Sequence, residues 1–77
     1  MKQRVQTPRF VVCVKNRGFP ASLERRKVYR VIADVVAESR HLLRVVDESG
    51  GAYLYPESYF VALELPTSTA RAISAAN

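Results

Sequence analysis

Glu48-Ser49-Gly50-Gly51 separates two short apolar runs, Leu42 to Asp47 and Ala52 to Tyr55, and no other stretch limits the fold as strongly. Adjacent glycines reach positive φ without a Cβ clash, so the segment predicts a tight hairpin between two antiparallel strands. Pro56 follows directly and has no amide hydrogen for a ladder, which sets the end of the second of these strands. A chain containing such a hairpin must supply further strands to cover it, because an isolated hairpin is barely stable in water.

The rest of the sequence supplies them. Phe10-Val11-Val12-Cys13-Val14 is β-branched and aromatic, and it predicts a first strand from Arg9 to Lys15 with apolar side chains on both faces. Gly18, Pro20 and Ser22 break regular structure, so residues 16–26 read as an irregular loop packed by Phe19 and Leu23. Residues 27–36 alternate Tyr29, Val31 and Ala33 against Val28, Arg30 and Ile32, as a second strand does, and residues 37–40 make a short polar link. Between Pro56 and Tyr59 there is room for one turn of 3₁₀ helix, followed by a last strand from Phe60 to Leu65 that Pro66 closes. Residues 67–77 are rich in Ser, Thr and Ala and are expected to fray, with a transient helical turn available to Ala70–Ala76. The reading is therefore all-β: a flexible basic N-terminus at 1–8, one five-stranded domain at 9–66 and a flexible tail at 67–77.

Composition bounds the function classes. A domain of 77 residues buries only about 60% of its extended surface, and 48% hydrophobic residues are enough for the dense core this requires. Cys13 is the only cysteine, which excludes an internal disulfide and a thiol cluster for zinc and points to a reducing compartment. The stretch from Met1 to Arg9 is polar and basic, unlike a secretory signal, and no apolar run approaches the roughly 20 residues that span a bilayer. The expectation is a cytoplasmic protein with no membrane, metal or cofactor. Charge is polarised: residues 1–30 hold nine Lys and Arg against Glu24, a balance of +8, whereas residues 31–77 hold three Arg against six acids, a balance of −3. Such asymmetry fits an acidic partner or nucleic acid, and equally a solvated surface.

The order of elements, with a long first loop, a tight third hairpin and a 3₁₀ turn before the last strand, resembles the Src-homology-3 barrel. The likeness is most specific at Tyr53-Leu54-Tyr55-Pro56-Glu57-Ser58-Tyr59-Phe60-Val61-Ala62, with an echo at Ser22 to Val31. Cys13, Asn16, Gly18, Ser22-Leu23, Lys27, Tyr29, Asp47, Gly50 and Tyr53 to Pro56 are also similar to the signature of a group of small bacterial and phage proteins. Arg26 departs from that signature, where glycine is usual; if the backbone needs positive φ there, arginine costs about a kilocalorie. The likeness implies a small five-stranded antiparallel barrel and carries peptide-binding roles to Pro56 and Tyr59.

Two binding surfaces follow. For a protein or peptide, the candidates are Phe19, Tyr53, Pro56 and Tyr59, although the chain has no tryptophan and a basic first loop, so a proline-rich ligand fits poorly. For nucleic acid, the alternative, Arg17, Arg25, Arg26 and Lys27 surround Phe19 in the same loop. Of the four tyrosines, at least two are expected to bury the ring, with Tyr59 and one of Tyr53 and Tyr55 exposed. His41 lacks a local Asp or Cys partner, Cys13 reads as a small buried hydrophobe, and Asp47 with Glu48 suits turn chemistry, so no catalytic constellation is assigned. The first reading is thus a non-enzymatic protein-interaction or regulatory module.

Overall fold

The structure is a computed structural model that describes residues 9–76; the expected basic N-terminus at 1–8 lies outside the described residues. Five strands, β1 (Arg9–Cys13), β2 (Val28–Ile32), β3 (Leu42–Val46), β4 (Ala52–Pro56) and β5 (Phe60–Leu63), form one sheet in the order β4-β3-β2-β1-β5. Every pairing is antiparallel. No ladder joins β4 to β5, so the sheet is not closed by hydrogen bonds. A single 3₁₀ turn, Glu57–Tyr59, stands before β5.

Register sorts the side chains into two faces. Paired residues share a face, so Val11 and Tyr29, Val31 and Val45, and Leu43 and Tyr55 line one side. With Cys13, Phe60 and Leu23 from the first loop they make the core, and Cys13, Leu23 and Val45 are fully buried. The opposite side is aliphatic but open, with Val28, Ile32, Leu54 and Val61 exposed. Phe10 is buried on that side of β1, which agrees with a strand covered in part on both faces.

The hairpin forms where the sequence sets it, but its glycines do different work. Gly50 alone has a positive φ, +87°. Gly51 instead makes room for Tyr53, since a Cβ there would lie 2.8 Å from that ring's Cε2. Pro56 is the last residue of β4, paired with Leu42, and the strand ends on it.

The second strand is shorter than its pattern suggests. It stops at Ile32, and Val35–Ser39 is a short helix, α1, where strand and polar link were expected. Asp34 caps it by accepting from the Ala37 amide at 3.0 Å, while its other oxygen binds Arg44 Nε at 2.9 Å. The cap and the burial of Ala37 override the β preference of Val35 and Val36, whose side chains stand in solvent. His41 then takes φ +62° and returns the chain to β3. At the other end the helical turn allowed for Ala70–Ala76 is a ten-residue helix, α2 (Thr67–Ala76), which begins with Ala70 N donating to Pro66 O at 2.9 Å and buries Ala70. No helix among the described residues is long and apolar enough to cross a membrane.

Candidate functional site

The first loop, residues 14–27, is irregular in path yet tied at many points. Gly18 turns it at φ +88°, Phe19 N donates to Asn16 O at 2.8 Å, and Asn16 Nδ2 donates to Leu23 O at 3.0 Å. Arg26 occupies the left-handed region at φ +71°, and its amide donates to Cys13 O at 2.6 Å. Arginine is therefore held there in a left-handed conformation that glycine adopts more readily.

A polar cluster fastens this loop to the β3–β4 turn. The buried Asp47 accepts Tyr55 Oη at 2.6 Å and Ser49 Oγ and N at 2.5 and 2.8 Å. Ser22 Oγ, 2.8 Å from Tyr55 Oη, supplies the second partner of that hydroxyl, and Glu48 N donates to Ser22 O at 3.0 Å. Beside it, Tyr29 Oη donates to Glu48 at 2.5 Å and accepts the Glu24 amide at 2.7 Å, while Lys27 Nζ lies 2.7 Å from the same carboxylate. Burial pushes the Asp47 carboxyl up, but the bonds from Ser49 and Tyr55 outweigh it and hold the group below the usual carboxylate range. Hydrogen bonds from Lys27 and Tyr29 lower Glu48 in the same way. Burial and then the acceptor carboxylates raise both Tyr29 and Tyr55.

Of the four aromatic-surface candidates, two come together. Phe19 is 37% exposed and meets Tyr55 edge-on, with centroids 4.9 Å apart at 88°. Tyr59 lies 6.2 Å from Phe19, is half-buried, and donates its hydroxyl to Arg17 O at 2.8 Å. Pro56 is half-buried between β4 and the 3₁₀ turn. Tyr53 is 57% exposed with its ring over Gly51, and among the described residues it makes no ring contact with Phe19 or Tyr59. Tyr29 and Tyr55 are the two buried tyrosines.

The cations divide as well. Arg17, Arg25 and Arg26 are exposed, and among the described residues none has a carboxylate within 4.0 Å. Lys27, by contrast, braces the loop through Glu48. Sequence reading missed Lys15, whose ammonium lies 5.8 Å over the Tyr59 ring. It also missed the cluster that steadies the loop. A usable signal was present, because a buried tyrosine needs a partner for its hydroxyl and Asp47, Glu48 and Ser22 are the polar residues of the expected turn and loop.

The nucleophile candidates sit elsewhere. Cys13 is fully buried, and burial raises its thiol pKa. The His41 ring is almost wholly exposed, with Nδ1 3.8 Å from Glu57. An open cleft of about 380 Å³ lies at the Arg9 end of β1, with Val11, Leu43 and Phe60 as its floor and the Arg9–Glu38 ion pair on its rim, apart from all the candidate residues. Among the described residues no group of His, Cys, Asp and Glu is arranged to hold a metal ion. Comparison of the chain with protein-family models, curated proteins and solved structures finds no match.

Proposed function

We propose that the chain is a non-enzymatic interaction module, a small barrel of Src-homology-3-like architecture that presents its first loop and 3₁₀ turn to another protein. The barrel reading rests on the strand order, on the long β1–β2 loop, and on Tyr55 and Phe60, whose rings meet at 6.3 Å across the gap between the outer strands. The binding reading is carried by Phe19. A large apolar ring left 37% exposed, on a loop fixed by many hydrogen bonds, loses little freedom when a partner covers it. Surface anchors of this kind contribute most when they are rigid before contact.

The chemistry of the reactive side chains supports a binding role over catalysis. The Cys13 thiol is enclosed and raised in pKa, and among the described residues the carboxylate within 4.0 Å of His41 is Glu57, at 3.8 Å. Nucleic acid is a second reading, favoured by the exposed cations Arg17, Arg25 and Arg26, none of which has a carboxylate within 4.0 Å among the described residues. A pull-down from the native host tests the first reading, with wild-type protein and a Tyr59→Ala variant of matched circular dichroism as baits. A partner retained by the wild type and lost by the variant is the expected outcome; equal recovery by both removes this surface from the function.

A further inference from the structure

We infer that the Phe19 surface is a docking ledge for an extended acidic protein segment that also carries an apolar or aromatic side chain. This rests on the binding reading above and adds the chemistry of the partner. Four exposed cations belong to the loop that carries the ring. Lys15 lies over Tyr59, the Arg17 carbonyl holds the Tyr59 hydroxyl, and Arg25 with Arg26 closes the loop where the Arg26 amide meets Cys13 O. All four are exposed, and none has a carboxylate within ion-pair distance among the described residues. Glu24 is the only acid of the same loop, and Glu48 across the turn is matched by Lys27. The loop therefore carries a net positive charge together with an exposed apolar ring, and its complement is negative charge beside an apolar group.

The geometry of the rings separates a peptide from a nucleic acid. Base stacking needs an aromatic face open to a flat partner. Here a face of Tyr59 carries the Lys15 ammonium, and Phe19 is engaged at angles of 88° and 65° with Tyr55 and Tyr59. Tyr53 has the most exposed ring but stands outside the cluster. A stacked base would compete with the Lys15 ammonium and the Tyr55 and Tyr59 contacts, whereas an apolar side chain set beside Phe19 need not displace them. Glutamate and aspartate on a flexible backbone can reach the separate cations without displacing Lys15 from its ring.

Amide shifts of isotope-labelled protein test this against three probes: a short peptide alternating Glu with Phe and Leu, the same peptide with Gln for Glu, and oligothymidylate. At about 0.15 M salt the acidic peptide is expected to shift Lys15, Arg17, Phe19, Arg25 and Tyr59 saturably, and to bind at least about tenfold more tightly than its Gln counterpart. Arg17→Glu/Arg25→Glu should weaken it by about tenfold or more while leaving the urea midpoint in place, since both side chains are exposed. Equal binding of the Gln peptide at the ledge overturns the acidic partner and leaves the interaction surface standing. Tighter binding of oligothymidylate at the same salt overturns it in favour of nucleic acid. Absence of shifts at the ledge with every probe also refutes it, and equal recovery of both baits in the pull-down removes the surface and the acidic partner together.

Discussion

Removing the carboxylate of Asp47 should cost far more than its place in a turn suggests. Asp47→Ala deletes three hydrogen bonds, two from the exposed Ser49 and one, at 2.6 Å, from the buried Tyr55 hydroxyl. The Ser49 groups regain water, so their loss is worth about 1 kcal/mol together; a bond from a buried hydroxyl to an ionised group is worth about 1.5–3 kcal/mol. The expected total is about 3 kcal/mol, a large part of the stability of a domain this size, on the order of 4–11 kcal/mol. Tyr55→Phe removes the donor but leaves Asp47 its Ser49 bonds, and should cost about 2 kcal/mol. Because one bond is counted in both variants, the double variant should be less destabilised than the sum, with a coupling of about 1.5 kcal/mol. Urea unfolding followed by far-ultraviolet circular dichroism measures all four proteins, and an unchanged urea slope with shifted midpoints keeps the comparison valid. Additivity within about 0.3 kcal/mol would refute the reasoning, since it would mean that the two groups do not share a bond in solution.

Three further outcomes follow from other parts of the fold. Arg26→Gly should raise stability by about 0.5–1 kcal/mol, because it relieves a left-handed arginine at φ +71°; a lower urea midpoint would show that the arginine side chain contributes more than its backbone costs. The Cys13 thiol should resist a thiol-reactive reagent at neutral pH and react at a rate set by opening of the fold, so immediate reaction without denaturant would contradict its enclosure. Stability should be flat near neutrality and fall on both sides. Asp34, Asp47 and Glu48 are lowered in the folded state, so the stability they contribute is present above the ordinary carboxylate range and is lost as pH falls through their folded values. Tyr29 and Tyr55 are raised, so their contribution is complete below about pH 10 and is lost as pH rises through their folded values. Thermal unfolding across pH would contradict this if it showed a maximum below pH 4.

The strands were legible because their limits are written locally. Gly50 requires the turn, Pro56 ends a ladder, and the β-branched runs between them suit a pleated surface with one buried face. The helix α1 was not legible from propensity, since Val35 and Val36 continue the pattern of β2 and only Asp34, by capping Ala37 while binding the distant Arg44, turns the chain. Of the site, the exposed rings and cations could be named from residue types in one loop. Their separation into ledge and brace could not, because Lys27 and Arg17 look alike until Glu48, 21 residues from Lys27, arrives beside it. Cys13, Asn16, Ser22, Leu23, Tyr29, Asp47 and Tyr55 belong to the core or to the ties of the loop.

Most ties on the first loop end on main-chain atoms: Asn16 on Leu23 O, Tyr59 on Arg17 O, Glu48 N on Ser22 O, Tyr29 on Glu24 N. A main-chain atom is the same whichever residue carries it. Lys15, Arg17, Glu24 and Arg25 can therefore change identity while the loop keeps its course, and the frame sets almost no requirement on the residues that would meet a partner. Two vocabularies are overlaid in one short chain, one spelling the scaffold and the other the surface of the proposed ledge. Descendants of such a chain could exchange one partner for another by surface substitution alone, with little tax on folding at each step.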